Sequence, residues 1–111
     1  MGVGRGSLVI AALPGDIGKT RPVLVIQTDA YPGTTAVAVV PLTSDLHGPA
    51  GPRIEIAPSP ENGLREVSRI MIDKPGLVRR FKVGPEIGRI SASEMALVDR
   101  ALTLFLGIGD R

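Results

Sequence analysis

The sequence predicts a small, mainly β domain closed by one C-terminal helix. Two observations carry that expectation. Short apolar runs alternate with Gly- and Pro-rich breaks along the first eighty or so residues, the pattern of short strands joined by turns. The helical period of apolar residues occurs in one place only, near the C-terminal end.

Taken in order, Ser7–Leu13 reads as a first strand, ended by Pro14-Gly15. Arg21–Gln27 reads as a second. Its run Pro-Val-Leu-Val-Ile is too continuous for a half-exposed strand and implies burial on both faces. Pro22 stands at the strand start, where the missing amide is tolerated. Thr28–Gly33 is a connection. Thr35–Leu42 is a third strand, again fully apolar, followed by the Gly/Pro-rich loop around His47. Arg53–Ile56 is a short alternating strand and Ser59–Gly63 a turn. Val67–Ile72 and Leu77–Val83 complete the strands, separated by Lys74-Pro75-Gly76.

The final segment, Ser91 to Gly107, is a helix. Ser91 and Glu94 have the spacing of a capping box, in which hydroxyl and carboxylate satisfy free first-turn amides. Gly107 suits the C-terminal cap. Met95, Val98, Ala101, Leu102 and Phe105 form one apolar face that is expected to pack on the sheet. The result is a twisted or barrel-like sheet partly covered by a helix. It leaves strand edges open that a second copy would cover.

Length and composition narrow the function classes. The 111 residues fit one domain, spanning 1–111. With no cysteine, disulfides, thiolate metal sites and cysteine nucleophiles are excluded. The opening apolar run is too short to span a membrane and no signal-peptide pattern precedes it, so a cytoplasmic protein is expected. Net charge is only +2, yet the thirteen basic residues are ten Arg and three Lys, and Arg is the better fork for phosphate. Arg79-Arg80-Phe81-Lys82 is the densest basic cluster.

Gly18-Lys19-Thr20 resembles the end of a nucleotide-binding P-loop, but its context excludes one. The position five before Gly18 is Leu13 rather than Gly, and a strand rather than a helix follows. What the segment offers instead is a glycine-flanked loop carrying Asp16, Lys19 and Thr20, ending at Arg21 on the mouth of a buried strand. An arginine held there can face a phosphate and stabilise charge that develops in reaction.

These stretches carry a resemblance. "RGSLVIAALPGDIGKTRPVLVIQTDAY", "AVAVVPLTS", "NGLREVSRIMIDKPGLV" and "IGRISASEMALVDRALTLFLGI" together resemble the MazF/PemK toxins of bacterial toxin–antitoxin systems over residues 4–108. The resemblance rests most on Arg21-Pro22-Val23 and Pro41–Ser44. It implies an SH3-like β-barrel with a C-terminal helix, a homodimer, and an antitoxin with an acidic flexible tail as partner. It also implies metal-independent cleavage of single-stranded RNA with no cofactor, by attack of the ribose 2′-hydroxyl on its own phosphate. The products are a 2′,3′-cyclic phosphate and a 5′-hydroxyl.

By that resemblance Arg21 and Thr43 are the catalytic residues. Arg21 would stabilise the charged phosphate and Thr43 would donate a hydrogen bond to it. Lys19, Thr20, Ser44, Asp73 and Arg80 are the expected substrate contacts. The general base and general acid are open among Asp73, Arg69 and His47. Arg69 shares a strand face with Met71 and Asp73, and His47, in its loop, reads first as a solvated or RNA-contacting residue. Phe105 belongs to the helix face, which leaves only Tyr31 and Phe81 free to stack on bases.

The sequence departs from the family at three points. Ser7 replaces an acidic residue, Met71 replaces an arginine used by some members, and the Gly15–Thr20 loop is short, so cleavage specificity does not carry over. Two alternatives share the fold. One is a CcdB-like gyrase poison, whose C-terminal Trp-Gly-Ile is Leu106-Gly107-Ile108 here. The other is an inactive nucleic-acid-binding module.

Overall fold

The structure, a computed structural model, describes residues 3–109. It contains strands β1 (Ser7–Ala11), β2 (Arg21–Val25), β3 (Ala36–Thr43), β4 (Ile54–Ile56), β5 (Ser68–Ile70), β6 (Gly76–Arg79) and β7 (Glu86–Arg89), a 3₁₀ turn at Arg80–Lys82, and helix α1 (Ala92–Leu106). All strand pairs are antiparallel, in the order β4-β5-β3-β2-β1-β7. The long β3 is the pivot. One edge bonds β2, while the other bonds β6 along Ala36–Val39 and then β5 at Leu42 and Thr43. Two different strands sharing one edge of β3 curl the sheet into a half-barrel.

Alternation along the strands builds two cores. Leu8, Leu24, Val40, Leu42 and Ile70 face one side and pack with Val98 and Leu102 of α1. Val9, Val23, Val25, Val37, Val39 and Val78 fill the other. The continuous apolar runs of β2 and β3 are therefore buried on both faces, as their composition predicts. The helix is capped as expected. Ser91 Oγ accepts from the Glu94 amide at 3.1 Å, Glu94 Oε1 accepts from the Ser91 amide at 2.8 Å, and Gly107 takes the left-handed conformation, φ 68°.

Three expectations are corrected. Phe105 is 45% exposed rather than part of the inward face, which is made by Val98 and Leu102 with Met95 and Ala101 packed beside them. Its position in the helix turns it toward the rim of α1 instead of the sheet. Arg80–Lys82, read as the end of a strand, is a 3₁₀ turn. The segment Glu86–Arg89, read only as a lead into the helix, is strand β7. Gly88 within it and Gly84 before it hid it, and packing explains both. A Cβ on Gly88 would lie 2.4 Å from the Glu61 carbonyl oxygen, and one on Gly84 would lie 2.4 Å from that of Ile10. Only glycine permits these backbone approaches.

Candidate active site

Arg21 opens β2 and Thr43 closes β3. The β2–β3 register pairs Val25 with Val39, Leu24 with Val40 and Val23 with Pro41. Carried two residues further, the same register sets Arg21 opposite Thr43. Residues so opposed project from the same face, with Cβ atoms roughly 5 Å apart. Thr43 in turn pairs with Arg69 of β5, and Arg69 with Glu55 of β4. A row of polar residues thus crosses the sheet from the ends of β2 and β3 to the middle of β5 and β4.

Two grooves meet along this row. One, of about 730 Å³, is walled by Lys19, Thr20, Ser44 and the 63–66 segment. The other, of about 600 Å³, is walled by Asp16, Arg53, Met71 and Lys74. Arg21, Thr43 and Asp45 line both, so they stand on the ridge where an extended ligand would pass from one groove into the other.

Arg21 is held but not saturated. Its Nε lies 3.4 Å from Asp16 Oδ2, close enough for Coulombic attraction. The same buried Nε makes no hydrogen bond among the described residues. The loop that carries Asp16 is folded on itself: the Asp16 amide donates to the Leu13 carbonyl at 3.0 Å and the Lys19 amide to the Asp16 carbonyl at 2.9 Å. A permanently charged guanidinium anchored through its buried Nε, on a side chain that lines both grooves, is suited to meet a phosphate oxygen with its terminal nitrogens.

Thr43 is similarly oriented. Its Oγ1 accepts from the Asp45 amide at 3.1 Å, the turn motif common for threonine. This leaves the hydroxyl proton free to be donated. Asp45 Oδ1 then accepts from the amide of His47 at 3.0 Å and from its ring Nδ1 at 2.7 Å. Those backbone and ring hydrogen bonds from His47 hold the Asp45 carboxyl below its ordinary range. Arg69, almost wholly buried, donates from Nη1 to the carbonyls of His47 at 3.3 Å and Gly48 at 3.0 Å, and its Nε sits 3.5 Å from Glu55.

The other sequence-derived positions divide. Lys19, Thr20 and Ser44 line the larger groove beside Arg21 and Thr43. Asp73 lines neither groove. Its two carboxylate oxygens are taken by Arg53 Nε at 2.9 Å and Nη2 at 3.1 Å, which lowers its pKa. Arg80 lies at the far end of β3, bonded to the carbonyl of Thr34 at 2.7 Å and its hydroxyl at 3.0 Å. Arg80 follows the β6 residue that pairs with Ala36, so about seven strand residues, roughly 23 Å, separate it from Thr43. The grooves also include Asp45 and Arg65, which the sequence reading did not select. For Asp45 a signal existed in the alternating Thr-x-Asp-x-His spacing, which suits successive side-chain-to-backbone turns. Among the described residues, no three His, Cys, Asp or Glu side chains are grouped so as to hold a metal ion.

Comparison with known proteins places the chain in a family. A family model described as "PemK-like, MazF-like toxin of type II toxin-antitoxin system" matches residues 4–106. The chain belongs to the PemK/MazF toxin family. A probable endoribonuclease MazF from Mycolicibacterium smegmatis is 46% identical over 106 residues, covering 94% of this chain and 96% of that protein. The structure of the Mycobacterium tuberculosis toxin MazF-mt6 is similar with a TM-score of 0.78 at 26% identity, over 94% of this chain and 99% of that one. An endoribonuclease from a mycobacterial species, solved in complex with its cognate antitoxin, superimposes with a TM-score of 0.82 over 99% of this chain and 100% of its own. At 20% identity that last likeness speaks for the fold alone. Within the PemK/MazF fold of this chain, the Arg21–Thr43 ridge lies at the open ends of β2 and β3, away from α1.

Proposed function

We propose that this PemK/MazF-family chain is a metal-independent, sequence-specific endoribonuclease that cleaves single-stranded RNA through attack of a ribose 2′-hydroxyl on the adjacent phosphate. The observation that carries the reading is the opposition of Arg21 and Thr43 where two grooves join. An RNA strand running from one groove to the other presents a phosphodiester to both side chains. Arg21 then neutralises the charge that accumulates on the non-bridging oxygens as phosphorus becomes five-coordinate, and the Thr43 hydroxyl donates to one of them. Lys19, Thr20 and Ser44 hold flanking phosphates and sugars in line. Fixing the attacking hydroxyl opposite the leaving oxygen removes much of the entropic barrier. The products are a 2′,3′-cyclic phosphate and a 5′-hydroxyl.

The protein acts in the cytoplasm as a homodimer, and an antitoxin with an acidic, flexible tail occupies the same grooves, competing with RNA for Arg21 and Lys19. The relative named as a probable endoribonuclease MazF, 46% identical over 94% of this chain, supports this reading.

The test is cleavage of a long single-stranded RNA in EDTA by the wild type, Arg21→Ala and Thr43→Ala. The expected result is cutting by the wild type and a loss of roughly 100- to 1000-fold in rate for each variant. The new ends should carry 2′,3′-cyclic phosphate. Gyrase-dependent DNA breaks without RNA cleavage would favour the gyrase-poison alternative instead, and RNA binding without cutting would favour the inactive module.

A further inference from the structure

We propose that His47, oriented by Asp45, is the general base that removes the 2′-hydroxyl proton. The inference rests on the ribonuclease reading above and adds the group that reading lacks.

Three hydrogen bonds link the imidazole to the ridge. The Asp45 amide is bonded to Thr43 Oγ1 at 3.1 Å, and the Asp45 carboxylate receives both the His47 amide at 3.0 Å and its ring Nδ1 at 2.7 Å. From beneath, the buried Arg69 holds the Gly48 carbonyl at 3.0 Å. The loop that carries His47 is thus pinned at Thr43, at Asp45 and at Arg69, although it lies on the surface.

The pairing also fixes the tautomer. An ionised carboxylate can only accept, so Nδ1 must carry the proton. Nε2 is left as a lone-pair acceptor, and the ring is 99% exposed beside grooves that Asp45 itself lines. A neutral imidazole with one nitrogen on a carboxylate and the other open is the arrangement of a general base, in which the carboxylate orients the ring and stabilises the imidazolium that forms. The charged groups around the ring are few. Asp45 pairs with it directly, and Arg69 faces its backbone carbonyl with Glu55 beyond at 3.5 Å. Arg21 and Asp16 stand across the ridge.

In the step itself Nε2 takes the 2′-hydroxyl proton as the O2′–P bond forms and the P–O5′ bond breaks. The departing 5′ oxygen takes a proton from water, and the resulting hydroxide recovers the proton from the imidazolium. Asp73, the other acidic candidate, is committed to Arg53 and lies outside the grooves.

Single-turnover cleavage of a short RNA by the full-length protein between pH 5 and 9 tests this. The wild-type rate should climb with pH and then level off once the base is unprotonated. His47→Gln should cleave about 100-fold more slowly at neutral pH and keep rising with pH without a plateau. Imidazole added to His47→Ala should restore part of the rate. Asp45→Asn, which keeps the shape and removes the charge, should move the wild-type limb to lower pH, a shift that a merely structural role for Asp45 would not produce. A His47→Gln rate within about threefold of wild type, with the same pH profile, overturns the role of His47 and leaves the nuclease reading standing. A wild type that cuts no RNA overturns both.

Discussion

Asp73 and Arg53 form a two-pronged pair between β5 and the start of β4, each side chain about a quarter exposed. Arg53 lowers the Asp73 pKa in the folded state from its ordinary 3.8, so the native protein holds this carboxylate ionised to lower pH than the unfolded chain does. The resulting stability is full above the ordinary carboxylate value and is lost as pH falls through the lower native one. Asp73→Asn should therefore cost about 1 kcal/mol at pH 7, the upper end for a partly exposed pair with fork geometry, and much less near pH 3. Urea midpoints of the two proteins at both pH values measure it, and an equal difference at each pH would refute the assignment. The sequence placed Arg21, Thr43 and Asp73 on one functional list. The family resemblance named the first two, and the structure sets both at the ends of buried strands on one face of the sheet. Strand position could not separate the third, since whether a carboxylate faces substrate or a neighbouring arginine depends on a loop, 44–53, whose path no periodicity records.

The segment from Ala57 to Leu64 illustrates the same limit for an element. A turn at Ser59–Gly63 is legible from its Pro, Asn and Gly. That Asn62 is the buried hub of that turn is not, because asparagine in such a context is ordinarily solvated. At 1% exposure its Oδ1 accepts from the amides of Ser59 at 3.0 Å and Leu64 at 2.9 Å, and its Nδ2 donates to the Ala57 carbonyl at 2.9 Å. The side chain does what a strand partner would do for a segment that has none. Gly63 then passes so close to β7 that a Cβ there would lie 2.1 Å from the Ile87 carbonyl oxygen. This segment continues into the wall of the larger groove, so Asn62 links the fold to the site. Asn62→Ala leaves the Leu64 amide buried without a partner and should cost about 2–3 kcal/mol, read as a lower denaturation midpoint. A change below about 0.5 kcal/mol would mean the turn is held by β7 alone.

For the molecule as a whole, α1 has more apolar surface than the sheet can cover. Val98 and Leu102 are buried, while Leu97 is 55%, Leu104 69% and Phe105 45% exposed. With Pro52 and Ile54 these line a hollow of about 460 Å³ beside the helix. A single stripe of helical spacing made the helix legible in the sequence. It could not say that a second stripe, offset by Leu97 and Leu104, stays uncovered, because both stripes are apolar and only the sheet's extent decides which is inside. Left in water, such a patch favours association, and the proposed homodimer has a natural seam here. In a twofold interface each substitution counts twice. Leu104→Glu removes an apolar contact worth about 1.5–3 kcal/mol from each side and adds the cost of burying a charge. The dimer should thus dissociate at least about 100-fold more readily, measured by sedimentation at micromolar concentration. The monomer should remain folded, since Leu104 lies outside both cores, and an unchanged far-UV spectrum would establish that. A variant that stays dimeric would move the seam away from α1, to the open strand edges or to the exposed Leu77 and Phe81.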